Sequence, residues 1–427
     1  MAARRIFYTL IVYCFLYWGI ARELNLNFPI GLLIEVGLLL TLISAILTIP
    51  KENWSRLNND LVYLFLFWFI LSVLEVFNPA GANVSGWLKE IRSAAEYPLL
   101  IVVISFLVFD KNKHLNTFII IVVALSTLAA LDGFKQQHIG LSAGDRRFLD
   151  AGGAVTHVLW GRLRVFSFYS EAAQFGASQA HIGLFALILA LGPVSKKAKI
   201  ILFLCSGLMI YGMLISGTRG AFFALIPGAF VAIILSKKFK VLFFGGAVAI
   251  LFLGVLKFTS IGNGNYAIYR FRSALDPNDP SLKVRLNSQR ILKEYMSSIP
   301  LGGGLGVTGA NGAEYNPDKF LSKIQPDSYW VKIWVMYGIV GFTIWISIMM
   351  FLLGKCCAIV WNIRNEGLRI KAIALSSGFA GILMCSYGNE VINTMPTTII
   401  VYVSIAFIYI MPKLDQELAE DKLINKI

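Results

Sequence analysis

Apolar runs alternate with polar connections along almost the whole chain. They lie approximately at 6–20, 28–49, 60–77, 97–109, 115–133, 172–192, 199–217, 220–235, 241–256, 328–354, 372–391 and 395–411. A bilayer core of about 30 Å takes roughly 20 apolar residues per helix. The pattern therefore predicts an all-α, polytopic membrane protein of twelve transmembrane helices, forming one domain over residues 1–427, with the run at 97–109 the shortest. Arg4 and Arg5 precede the first run as they would in a signal peptide, but no small-residue cleavage site comes before Arg22, so the run reads as a retained helix. Three polar intervals stand out: 78–96, 135–171 and, between the ninth and tenth runs, 257–327.

Composition agrees with the pattern. With 57% hydrophobic residues and a mean hydropathy of +0.70, a soluble globular chain is excluded. The lipid bilayer is the first partner, and nothing in the pattern points to nucleic acid. Charge gives an orientation. With the N-terminus inside, the short inner connections hold Lys51 and Arg56, Lys111 and Lys113, Lys196, Lys197 and Lys199, Lys237, Lys238 and Lys240, and Lys355, Arg364, Arg369 and Lys371. The short outer ones hold little beyond Arg22 and Arg219, which is the positive-inside pattern. Lys and Arg then divide 19 inside to 19 outside, but Arg divides 5 to 11. Arginine offers a planar fork suited to bidentate phosphate contacts. A long, arginine-rich outer loop thus suggests an anion handled on that face.

The sharpest single residue is Arg219, in the turn Ile215-Ser-Gly-Thr-Arg-Gly220 between two spans. Gly217 suits a helix C-terminus, and Ser216 or Thr218 can cap the helix that follows. Arg219 then sits at the positive end of a helix dipole with no acid near it in sequence, a placement that favours binding an anion. In the long loop, Ser281 to Ser298 reads as an amphipathic helix with Ser281 as its cap. Its Arg285 and Arg290 project about 140° apart, so they do not form one clamp. Lys283 and Lys293 read as solvated surface. After Pro300, six glycines fall within residues 302–312. Their formal G-x-G-x-x-G follows a helix instead of a strand, which removes the dinucleotide reading and leaves a flexible loop able to fold around substrate. Asp327 is placed both to cap the next span and to accept a proton from a hydroxyl beside the arginines. Ahead of the sixth span, Arg162, Arg164, Tyr169 and Glu171 combine cations, an acid and aromatic faces as a sugar site does, and as a membrane interface belt also does. Glu35 and His181, inside spans, read as interhelical hydrogen bonds and stay outside the site. The five cysteines show neither a disulfide framework nor zinc spacing, and the four histidines are too scattered for a metal, so no metal or other cofactor is expected.

These pieces resemble the O-antigen ligase and polymerase superfamily of bacterial polytopic glycosyltransferases. The likeness rests on RVFSF (Arg164 to Phe168), the SGTRG turn, the order Arg285, Pro300 and glycine run, and DSYWVKIWVMYGIVG (Asp327 to Gly341), covering roughly residues 160–345. It implies a C-type membrane glycosyltransferase, independent of metal, acting at the periplasmic face of the bacterial inner membrane with both termini cytoplasmic. Its donor and acceptor would be undecaprenyl-diphosphate-linked glycans, with a polysaccharide chain-length regulator protein as a further partner. By motif position, Arg219 and Arg285 correspond to the arginines expected to hold the diphosphate. The ligases carry His-Asn where this chain has Asp327-Ser328, and no histidine follows residue 181. That departure favours the polymerase branch. A ligase acting on lipid A-core remains one alternative. A flippase of lipid-linked oligosaccharide is another, although polar mid-membrane residues and related halves are not prominent.

Overall fold

The computed structural model of the protein describes residues 2–26, 28–237, 251, 254–255, 257–260, 272–273, 276 and 278–424. Within them, α1 spans Ala2–Leu24, α2 Leu32–Thr48, α3 Asp60–Phe77, α4 Val84–Val108 and α5 Asn112–His138. After a connection containing short helical turns come α6 (Ala172–Ala190), α7 (Lys196–Ile215) and α8 (Arg219–Leu235). The loop elements α9 (Pro280–Met296) and α10 (Gly309–Tyr315) lead to α11 (Tyr329–Asn362), α12 (Glu366–Gly388) and α13 (Thr397–Ile424). Among the described residues, strand is limited to β1 (Val158–Leu159) and β2 (Arg162–Leu163), antiparallel around Trp160-Gly161. The end of the bundle carrying this hairpin and α9 is called the loop end below.

The chain is an all-α polytopic membrane protein. Among the described residues, α3–α7 and α11–α13 are the eight helices long and apolar enough to cross a membrane, and α2 and α8 are shorter apolar helices. The length of α1 also suffices, but Tyr8, Tyr13, Tyr17 and Trp18 dilute its apolar character. The expected ninth span, 241–256, lies outside the described residues apart from Leu251, Gly254 and Val255, so the twelve-span expectation is not reached by the described helices.

At the centre lies α6, with 89% of its apolar window buried. Its sequence, AAQFGASQAHIGLFALILA, is rich in small residues, which let neighbouring backbones approach. A Cβ on Gly176 would fall 2.2 Å from Ser216 Oγ, and one on Gly183 3.2 Å from Met209. Across the same centre, a Cβ on Gly228 of α8 would come within 2.8 Å of Ser377 O, and one on Gly381 of α12 within 2.3 Å of Ala224 O. So α6 packs closely on α7, and α8 on α12 with little between their backbones.

Two intervals expected as loops are ordered differently. Residues 84–96 form the first half of α4, passing through a wider π turn at Arg92–Glu96. Their charges made the interval look solvated, but several are paired with other helices. Arg92 Nη1 and the Tyr97 hydroxyl both donate to Glu35 Oε1 at 2.6 Å. Glu35 therefore has the interhelical bonds expected of it. His181 does not: it is buried against Gly378 of α12, and its Nδ1 has no partner among the described residues.

The glycine run is likewise no open, flexible loop, since Gly302 to Gly309 are buried. The reason lies in α11, which breaks at Gly338, with φ 68° and ψ −171°. A break inside a membrane helix frees backbone groups that something else must satisfy. Here Gly303 N donates to Val335 O and Gly304 N to Met336 O, both at 2.9 Å. A Cβ on Gly302 would meet Met336 O and Gly338 N at 2.3 Å. Gly302, Gly304, Gly306 and Gly309 have φ between 69° and 87°, the region that favours glycine.

This packing sets an expectation for stability. Gly302→Ala should cost about 1–3 kcal/mol from strain and overlap, read as a lower unfolding midpoint in detergent. Gly207→Ala, on an open helix position with nothing within 4 Å of the added methyl, should leave the midpoint unchanged or raise it. Equal effects at both positions would contradict the packed-loop account.

Candidate functional site

The turn between α7 and α8 is built into the loop end from three sides. Gly217, at φ 60°, lets α7 stop. Val165 N donates to Ile215 O at 3.3 Å, bringing the RVFSF segment alongside. Opposite, Gly220 faces α12: Cys385 Sγ lies 3.2 Å from Gly220 O, and a Cβ there would overlap the Asn389 amide. Thr218 does not cap the following turn. Its hydroxyl donates to Ala172 O at 3.0 Å and accepts from Arg164 Nη2 at 3.2 Å, joining the turn to the start of α6.

Arg219 occupies the first turn of α8, as the sequence suggests. It is not alone there. Its Nη1 donates to Asp279 Oδ2 at 2.6 Å and to Ser273 Oγ at 3.1 Å. Asp279 also accepts from Leu282 N at 3.1 Å, so Asp279, not Ser281, caps α9. The acid that balances Arg219 is 60 residues away in sequence, and chain folding alone brings it near. The same helix carries Arg285, whose Nη2 lies 3.6 Å from Asp327 Oδ2. Among the described residues Arg290, exposed on another face, donates to Asn287 of its own helix, at 3.2 Å. The angular separation expected for Arg285 and Arg290 is thus realised as different surroundings.

Asp327 does not cap α11. Ser328 is the N-cap, accepting from Val331 N at 3.3 Å, and Asp327 precedes it with its side chain 59% exposed. Behind them, inside the first turn of α11, Lys332 is buried between two carboxylates: Glu90 Oε1 at 2.9 Å and Glu390 Oε2 at 3.0 Å. Asn311 donates to the other oxygen of Glu90 at 2.7 Å, and Gly309 passes beside Lys332. These residues escaped the reading of the sequence. The available signal was a lysine within an otherwise apolar run, which by default marks a site.

Glu171 is the N-cap residue of α6, without a capping bond from its side chain. Its carboxyl reaches solvent but is enclosed closely enough that desolvation raises it above the usual carboxylate range. Glu390 and Asp327 push the same way, and Arg164 opposes them. Glu171, Asp327, Arg164 and Glu390 therefore share one electrostatic environment.

The remaining expectations divide. Arg164 belongs to the site through Thr218, and its Nη1 also reaches Thr156 O at 3.1 Å. Arg162 is exposed on β2. Tyr169 offers no face for a sugar: it is buried, with its hydroxyl 2.9 Å from Ser178 Oγ. Its segment is held by Arg22, which donates to the carbonyls of Ser167 and Tyr169, pairs with Asp145 at 3.4 Å, and lies over the Phe148 and Phe166 rings at 5.5 and 4.8 Å. Arg22, Arg92 and Arg147, which bonds the carbonyls of Arg22 and Glu23, fasten helices and connections together. Part of the arginine excess is thus structural and not reserved for an anion.

A polytopic membrane protein with paired arginines and carboxylates gathered at one end is the class that this geometry defines. Residues 204–346 match the family described as O-Antigen ligase, which is 143 of the 427 residues. The match takes in the Arg219 turn, α9, the glycine run and the break in α11. The match supports a kinship with the O-antigen ligase and polymerase superfamily over that stretch, and that family is one of membrane glycosyltransferase-type enzymes. The RVFSF segment and Glu171 lie ahead of the matched stretch. No curated protein matches the chain.

The cap assignment is checked by stability. Ser328→Ala should cost about 0.5–2 kcal/mol, as loss of an N-cap does, whereas Asp327→Ala should cost less than Ser328→Ala. Thermal unfolding of the two purified variants gives the comparison, and the reverse order would restore Asp327 as the cap.

Proposed function

We propose that this protein polymerises undecaprenyl-diphosphate-linked oligosaccharide repeat units by glycosyl transfer, with Arg219 and Arg285 holding the diphosphate leaving group. The observation that carries the reading is the pairing of both arginines with acids through α9. Asp279 at its cap meets Arg219, and six residues on, about 9 Å along the axis, Arg285 meets Asp327. A lipid-linked diphosphate arriving at the loop end would supply the charge these two acids provide in its absence.

In this reading the acceptor hydroxyl attacks the anomeric carbon of the donor. The bond from that carbon to the phosphate oxygen breaks, and its electron pair leaves on the diphosphate. Negative charge grows on the leaving group as the bond breaks. Preorganised guanidinium groups and the N-terminal turn of α8 stabilise it where it develops. The bilayer fixes the depth of the lipid diphosphate, so positioning contributes to the acceleration as well. The site would face the periplasm in the bacterial inner membrane, with both termini cytoplasmic and a chain-length regulator as partner. Asp327-Ser328 in place of the ligases' His-Asn supports the polymerase branch over a ligase acting on lipid A-core.

The surface-glycan ladder of a deletion strain discriminates the alternatives. A single capped repeat on lipid A-core is expected for a polymerase. Bare core would indicate a ligase, and bare core with donor trapped in the inner leaflet a flippase.

Site variants test the chemistry. Arg219→Ala should remove long glycan chains while the protein remains folded and inserted, and Arg219→Lys should rescue poorly because a point charge lacks the planar fork. Arg285→Ala should be more severe than Arg290→Ala, and Lys283→Ala nearly silent. A normal ladder from Arg219→Ala contradicts the diphosphate role. Equal loss at 283, 285 and 290 would reduce it to bulk positive charge.

A further inference from the structure

The reaction leaves a proton on the attacking acceptor oxygen, and two carboxylates at the loop end, Asp327 and Glu171, differ in how free they are to take it. Asp327 is engaged: its Oδ2 lies 3.6 Å from the Arg285 guanidinium. Glu171 stands differently. It reaches solvent at the start of α6, and among the described residues no donor hydrogen-bonds its carboxylate and no cation forms an ion pair with it. The next residue, Ala172, accepts the Thr218 hydroxyl that Arg164 also contacts. Glu171 therefore adjoins the Arg219 turn, where the reading above places the leaving group.

We propose that Glu171 is the carboxylate that takes the proton from the attacking acceptor hydroxyl, and that Glu390, held in place by Lys332, is a positioning residue for it. The proposal rests on the glycosyl-transfer reading. In the step, the acceptor oxygen bonds to the anomeric carbon, the carbon–phosphate-oxygen bond breaks toward the diphosphate, and the acceptor proton passes to a Glu171 carboxylate oxygen.

The charged groups around Glu171 come from three elements: Arg164 from the preceding segment, Glu390 after α12 and Asp327 before α11. Two of the three are negative, and burial works in the same direction, so Glu171 binds a proton more readily than an ordinary surface glutamate. Glu390 does not turn away, because Lys332, buried at the foot of α11, bonds it at 3.0 Å and Glu90 at 2.9 Å. One ammonium facing two carboxylates leaves that corner net negative. This arrangement suits a chain that lacks the ligases' histidine, since a carboxylate raised above its usual range is a better proton acceptor than an ordinary one.

The test is the pH dependence of initial rates for the purified full chain. The substrate is the lipid-diphosphate glycan that accumulates when its gene is deleted. The wild type should lose rate on the acid side as Glu171 protonates. Glu171→Gln should lower kcat by about 100-fold or more, with KM little changed and the acid limb absent, while Glu171→Asp should recover part of the rate and keep the limb. Glu390→Gln removes a negative neighbour and leaves the Lys332–Glu90 pair balanced, so it should fold and move the limb to lower pH. Asp327→Asn should act on KM through Arg285 and retain the limb. Wild-type rates from Glu171→Gln, or loss of the limb in Asp327→Asn, would overturn Glu171 as the base. An unmoved limb in Glu390→Gln would overturn its positioning role. A wild type that transfers nothing from this substrate would overturn the glycosyl-transfer reading and the proposal with it.

Discussion

A helix that breaks inside a membrane protein must have its freed carbonyls satisfied, and at Gly338 that requirement organises the loop end. Val335 and Met336 receive their hydrogen bonds from Gly303 and Gly304, so the glycine run is drawn into the bundle and fixed there. Everything attached to that run is positioned with it. On one side, α9 packs Leu292 and Met296 against Val331 and Val335 of α11, which holds Arg285 beside Asp327. On the other, Asn316 accepts from Asn83 N at 2.9 Å and donates to Gly306 O at 2.9 Å, tying the loop to the start of α4.

At this end, three of the cations meet acids from distant parts of the chain. Arg219 meets Asp279, Arg285 meets Asp327, and Lys332 meets Glu90 and Glu390. An ion pair in a partly enclosed site contributes little net stability once desolvation is counted. Its stronger consequence is geometric: the guanidinium groups are held in fixed places, which the proposed diphosphate binding would use. Arg22 and Arg92 show the other use of the same chemistry, fastening helices where no exchange is proposed.

Most of the helices were legible in the sequence, because an apolar run of membrane length has few alternatives. Residues 84–96 were not, since charges that look solvated in isolation, such as Arg92 and Glu90, are satisfied by Glu35 and Lys332 of other helices. The arginines of the site could be named from their placement, yet Asp279, the partner of Arg219, could not, because only the fold joins residues 60 apart. The cap of α11 was displaced by one residue, from Asp327 to Ser328, as neighbouring polar residues at a helix start compete closely. Tyr169 illustrates a further limit: an aromatic among arginines has the composition of a sugar platform, but burial decides whether it has a face to offer. Lys332 was missed although its isolation in an apolar run was visible.

Arg219 and Arg285 together form the proposed diphosphate site, and a structure with undecaprenyl diphosphate bound tests this directly. Cryo-electron microscopy of the purified protein in a lipid nanodisc with that ligand should place the diphosphate between Arg219 and Arg285, with the Arg219–Asp279 pair opened to admit it. Diphosphate bound elsewhere, with both ion pairs intact, would contradict the account.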